Sequence, residues 1–217
     1  MLATIQTIVL YAIPVIFAIT VHEVAHGWVA DKLGDPTAKR LGRLTLNPVK
    51  HIDPLGTVIL PGLMILLGSK FIFGWAKPVP ITWQNLKHQR RDIALVAAAG
   101  PISNFIMALL WALIIKLIIL FSSEQSSISQ ALVTMASAGI LVNLILMVLN
   151  LIPIPPLDGS RIVSSFLSPK LSYYYNRIEP YGFFILIFLL FTGMLGKVMW
   201  PFIRSIMQFI VTLFGLN

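Results

Sequence analysis

The chain has 217 residues, 57% of them hydrophobic and only 11% charged, with a mean hydropathy of +0.87, which excludes an ordinary soluble domain and leaves several apolar runs long enough to cross a bilayer. It has no cysteine, which excludes disulfides and thiolate metal ligands, so any zinc has to be held by His, Asp or Glu. The 16 Lys+Arg outnumber the 8 Asp+Glu, but they fall in short segments between apolar runs, a positive-inside pattern that suits anionic headgroups, so no nucleic-acid partner is expected.

Residues 3–28 read as the first helix, with Pro14 a point where it can kink. The run lacks a basic leader and a cleavage site, so it is expected to be a retained span and not a signal peptide. It places His22 and His26 at i and i+4 with Glu23 beside the first, and at 3.6 residues per turn both imidazoles project from one face. This His-Glu-x-x-His spacing is the zinc-hydrolase arrangement. An unpaired carboxylate within a span costs about 2.5 to 3.5 kcal/mol on insertion scales, so Glu23 needs a partner. No Lys or Arg precedes Lys32, whereas Lys32, Lys39, Arg40, Arg43 and Lys50 follow, so the N-terminus is expected outside and the two histidines near the cytoplasmic end.

Segment 40–52 partly alternates apolar with polar residues, which predicts a short strand or hairpin at the membrane surface. The apolar stretch 55–75 is broken by Pro61, Gly62, Gly68 and Gly74 and has basic residues on both flanks, so it is expected to be re-entrant. Residues 71–81 read as extended, with Pro78 and Pro80 suited to an edge. A second helix spans 93–121 and contains Gly100-Pro-Ile-Ser-Asn104; Asn104 either bonds a neighbouring helix or serves a site. Residues 122–130 carry no basic group and are expected outside, and a third helix returns over 131–151. The prolines of 150–160 break it and leave Asp158 at the end of the broken segment, either as a solvated turn residue or as a ligand. Residues 160–179 read as interfacial, 181–200 as a further span, and 201–216 as a span or an amphipathic helix. The expected fold is an all-α polytopic membrane protein of one domain: a three-helix core within 1–165, C-terminal membrane segments within 180–217, and a re-entrant segment with short β pieces at the cytoplasmic face.

A catalytic zinc usually takes a third protein ligand. The candidates are His51, Asp53, His88, Asp92, Glu124, Asp158 and Glu179, together with Asp31 and Asp35 read as surface acids. If 55–75 does not cross, the third helix runs parallel to the first and delivers Asp158 to the depth of the histidines. If it does cross, Asp158 emerges about 30 Å away on the other face.

His22-Glu-Val-Ala-His26 on the first span, Gly100-Pro-Ile-Ser-Asn104 on the second and Asn150-x-x-Pro-x-Pro-x-Leu-Asp-Gly159 on the third together resemble the site-2 protease family of intramembrane zinc metalloproteases, in its compact bacterial form. The resemblance implies one Zn2+ per chain held by His22, His26 and Asp158, with Glu23 as catalytic base and Asn104 and Asn150 supporting the site or its substrate. It implies cleavage of single-span membrane proteins, expected near the cytoplasmic side of a bacterial inner membrane. Segments 40–52 and 71–81, read as extended, are separately expected to offer edges for strand addition by an unwound substrate. Ser160 departs from the second glycine that many relatives have, and no PDZ-like or CBS-like segment is evident, which leaves substrate selection open. His51-Ile-Asp-Pro54 resembles a feature of compact members to which no chemical role attaches. Two other classes compete: a zinc-binding membrane protein that holds client spans without cleaving them, and a transporter using His22 and Glu23 as a proton relay.

Overall fold

A computed structural model of the chain describes residues 2–67, 74–121 and 126–216. Helix α1 (Leu2–Leu33) passes through Pro14 without ending and stops where Gly34 takes a positive φ of 115°. The short helix α2 (Thr37–Arg40) follows, then a 3-10 turn at Pro48–His51. A wide π-type turn at Pro54–Ile59 runs into α3 (Leu60–Leu66). Residues 74–82 form a strap without helix or strand, leading through a 3-10 turn at Trp83–Asn85 into α4 (Gln89–Phe121). Helix α5 (Ser127–Asn150) ends in a proline-rich turn, after which come α6 (Asp158–Phe166), α7 (Pro169–Asn176), α8 (Glu179–Phe191) and α9 (Met194–Phe214). Within α1 (over Leu10–Leu33), and along α4, α5 and α9, the chain is long and apolar enough to cross a membrane, and the molecule is an integral membrane protein.

Helices α1, α4 and α5 pack on one another and α9 lies against α5. The α4–α5 seam is built from Ala108, Ala112, Ala136 and Leu144, and α9 adds Met199, Ile203 and Ile210. Small residues suit such a seam: lipid competes equally for apolar surface, so close backbone approach is what holds spans together. The outer faces stay apolar, as at Ile102, Ile106, Leu110 and Leu113 of α4.

Hydrogen bonds fix the directions. His26 meets Val96, and the next turn back on α1 brings His22 and Ala18 to Asn104, so α4 runs antiparallel to α1. Asn104 also meets Asn143, and the chain beyond α5 brings Asp158 to His22 and His26, so α5 runs parallel to α1.

Two expectations need correction. Among the described residues there is no strand: 40–52 is occupied by turns, one at Gly42 with φ 64° and one capped by Asn47, and 74–81 by the strap, while 71–73 lie outside the described residues. A ladder needs one partner strand, and the strap amides at Trp75, Lys77 and Val79 donate instead to Gly56 O, His51 O and the Glu23 side chain. The expected span 181–200 is also divided. Gly193, at φ 71°, turns the chain between α8 and α9, whereas Pro201 sits inside α9.

Candidate metal centre

The His-x-x-x-His spacing on α1 brings the two imidazole centroids to 4.6 Å with their planes at 87°. Both rings are buried, and α4 can press against them because residue 100 is glycine: a Cβ there would lie 2.4 Å from His22 Cε1 and His26 Nε2. Each ring is oriented from α4. His22 Nδ1 lies 2.7 Å from Asn104 Oδ1, and His26 Nδ1 lies 2.7 Å from Val96 O. The Asn104 amide is itself fixed, since its Nδ2 donates to Ala18 O at 3.2 Å and to Asn143 Oδ1 at 3.0 Å. Asn143 in turn donates to Gly139 O at 2.8 Å. Both acceptors facing the rings are therefore carbonyl oxygens, so both Nδ1 atoms carry the proton and both Nε2 lone pairs point the other way.

They point at each other and at Asp158. The Nε2 atoms are 3.0 Å apart and each is 3.3 Å from Asp158 Oδ2, which is buried without a hydrogen bond. Three lone-pair-bearing atoms converge at a spacing that fits a cation: the edge of a tetrahedron with about 2.0–2.1 Å metal–ligand bonds is about 3.3 Å. Among the described residues, His22, His26 and Asp158 form the group of three that could hold a metal ion. Glu23, next in the chain, lines a cavity of about 770 Å³ with His22, Trp75, Asn150, Phe183 and Met199, and its Oε2 accepts the Val79 N–H at 2.8 Å.

A profile described as Peptidase family M50 matches residues 115–193, a span that includes Asp158. A Bacillus subtilis (strain 168) protein named "Putative zinc metalloprotease YwhC" is 39% identical over 204 residues, covering 94% of this chain and 90% of that one. This chain belongs to peptidase family M50, the site-2 proteases. Two further relatives, both named "Putative zinc metalloprotease Rip2", are longer. The Mycolicibacterium smegmatis protein is 30% identical over 84% of this chain and 66% of its own length, and that of Mycobacterium tuberculosis (strain ATCC 25618 / H37Rv) is 32% identical over 80% and 62%. No solved structure matches.

The M50 chain keeps the other ligand candidates elsewhere. His51 is buried with Nε2 2.9 Å from Thr45 O, and its carbonyl receives the strap amide of Lys77. Asp53 caps the turn at Pro54–Ile59 through Leu55 N and Gly56 N. Asp92 receives the His88 amide at the start of α4, His88 is exposed, Glu179 pairs with Arg161 at 3.3 Å, and Asp31 with Lys39 at 3.5 Å. Glu124 lies outside the described residues. Asp35, read as a surface acid, is fully buried. It accepts from Thr37, from Thr82 N at 2.7 Å and from Asn85 Nδ2 at 2.8 Å. Burial alone would raise its carboxyl, but the donors Thr37, Asn85 and Thr82 outweigh that and hold it below its ordinary value.

Asn104 meets a site ring directly. Asn150 does not join the triad: its Nδ2 donates to Leu146 O at 3.0 Å, and it lies on the cavity wall. Sequence reasoning passed over Asn143, although a second amide inside an apolar span was the available signal. It also passed over Val96, whose contribution is a main-chain carbonyl and leaves no mark in the sequence.

Proposed function

We propose that this chain is an intramembrane zinc endopeptidase that hydrolyses single-span membrane proteins near the cytoplasmic side of a bacterial inner membrane. The observation that carries the reading is the triangle of His22 Nε2, His26 Nε2 and Asp158 Oδ2 beside an apolar cavity that also holds Glu23.

In this reading His22, His26 and Asp158 hold one zinc ion. The chemistry such an ion supplies is Lewis acidity, which makes water a nucleophile near neutral pH and polarises a carbonyl. Glu23 takes a proton from the attacking water. As the scissile C–N bond breaks, Glu23 passes that proton to the leaving amine, so one water is consumed and a carboxylate and an amine result. Asn104 and the Val96 carbonyl keep the Nε2 atoms turned toward the site, and Asn150 is the candidate donor to a substrate carbonyl, exchanging its bond to Leu146 O. The apolar walls of the cavity suit the side chains of an unwound membrane segment.

Several features support the orientation in this reading. Because α4 is antiparallel to α1, the end of α1 and the start of α4 share one side, and so do the ends of the segment between them. Trp75 N donates to Gly56 O at 3.1 Å and Lys77 N to His51 O at 3.0 Å, which keeps the two ends of 55–75 together. The helical part, Pro54–Leu66, extends only about 20 Å, short of the about 30 Å hydrocarbon core. These features favour a re-entrant segment at the basic, cytoplasmic face, with the N-terminus outside.

The test is cleavage of a doubly labelled single-span peptide by the purified chain in lipid nanodiscs. Wild type is expected to cut, to stop with chelator, and to resume with zinc. Zinc-loaded wild type that binds the peptide without cutting it would replace this reading with a non-proteolytic client-binding protein.

A further inference from the structure

The strap 74–82 is gripped by three side chains from the first 43 residues. Arg43 Nη2 donates to Lys77 O at 3.1 Å and Pro78 O at 3.4 Å, Glu23 accepts the Val79 N–H at 2.8 Å, and the buried Asp35 accepts the Thr82 N–H at 2.7 Å. Within Pro78-Val79-Pro80 neither proline has an N–H, so Val79 supplies the sole amide donor of that tripeptide, and that donor goes to Glu23. The prolines fix φ at 78 and 80 and bias Lys77 and Val79, the residues before them, away from the helical region. The Val79 side chain is buried against Gly27, one helical turn beyond Glu23 on the same face of α1: a Cβ on Gly27 would lie 2.7 Å from Val79 Cγ1. A stiff dipeptide step is thus docked on α1 by its side chain with its amide aimed at one carboxylate oxygen.

We propose that Val79 is a positioning residue: its main-chain N–H holds the Glu23 carboxylate by Oε2, so that the other oxygen is presented to the cavity, with Asp35 and Arg43 setting the register of the strap. The proposal rests on the reading of Glu23 as general base. An unheld glutamate at a cavity wall samples several rotamers, and general-base catalysis requires the carboxylate within hydrogen-bond reach of the proton it takes. The strap also lends Gly74, Trp75 and Ala76 to the cavity wall, so one segment both bounds the cleft and orients the base.

Two measurements test this on the full chain in nanodiscs. The first is hydrogen exchange of the Val79 amide by NMR on [15N]valine- and [15N]lysine-labelled protein. Glu23→Ala should speed exchange at Val79 by about tenfold or more while leaving Lys77, which donates to a main-chain carbonyl, unchanged. Equal exchange at Val79 in wild type and Glu23→Ala overturns the proposal. The second replaces the residue-79 amide by an ester, through incorporation of the α-hydroxy analogue of valine, and compares it with valine restored by the same route. The ester should lower kcat about tenfold or more on the labelled single-span peptide, with KM and bound zinc unchanged. An unchanged kcat overturns the proposal, as does a loss explained wholly by KM or by zinc. If the valine-restored chain binds zinc but cuts nothing, the protease reading fails, and the exchange experiment by itself decides whether Val79 holds Glu23.

Discussion

The metal-site core and the strap are both held by polar bonds in an apolar molecule, but with different partners. In the core, side chains from α1, α4, α5 and the short α6 meet one another, with the carbonyls of Val96 and Ala18 as added acceptors: His22 meets Asn104, Asn104 meets Asn143, and Asp158 meets both imidazoles. In the strap, side chains grip main chain: Arg43 takes two carbonyls, and Glu23 and Asp35 each take an amide. The core therefore depends on which residues are present, whereas the strap depends on where its backbone runs. Damage to the core should remove metal or chemistry outright. Damage to the strap should leave the metal in place and degrade stability or rate.

The largest effect that would sharpen this contrast is Glu23→Gln, expected to lower cleavage by about 10²- to 10⁴-fold with zinc retained, checked by peptide turnover and metal analysis on the same sample. Asn104→Ala comes next. It strips His22 Nδ1 of its acceptor and Asn143 Oδ1 of its donor, and is expected to weaken zinc binding about 10- to 100-fold in chelator competition. Gly100→Ala places a methyl group against both rings and is expected to cost about 1–3 kcal/mol, read as a lower thermal midpoint in detergent.

On the strap side, Asp35→Asn is expected to cost about 1–3 kcal/mol without loss of bound zinc. Because the folded state holds the Asp35 carboxyl below its ordinary value of about 3.9, the charged form is the one stabilised. That contribution is complete above the ordinary value and is lost as pH falls through the lower folded value, so the midpoint gap between wild type and Asp35→Asn should close in acid. A gap that widened in acid would contradict the hydrogen bonds assigned to Asp35. The smallest effect is expected for Arg43→Ala, about 0.5–1.5 kcal/mol by thermal unfolding, since water can take over the exposed bonds to Lys77 O and Pro78 O.

The same contrast explains what could be read in advance. Polar groups inside apolar spans are costly, so His22, Glu23, His26 and Asn104 stood out, and the parallel course of the first and third helices tied Asp158 to the histidines. Asn143 carried the same signal and went unread. The strap carried little: alternation in 40–52 and the extended reading of 71–81 suggested strands, but the acceptors for the strap amides are main-chain and side-chain atoms drawn from three separate segments. Only Pro78 and Pro80 marked it as stiff. Asp35 was misread because an acid just past a helix end is ordinarily solvated, and its burial depends on Thr82 and Asn85, nearly fifty residues on. At the C-terminus Pro201 looked like the stronger break, yet a helix inside protein and lipid can carry a proline, while the positive φ at Gly193 cannot continue one.

The central claim, that His22, His26 and Asp158 share one ion, is tested most directly by zinc affinity in wild type, Glu23→Gln and Asp158→Ala, using chelator competition on purified protein. The account predicts one zinc per chain and equal affinity in the first two. In Asp158→Ala it predicts a drop larger than that from Asn104→Ala. Asp158→Ala that binds zinc as tightly as wild type would contradict it.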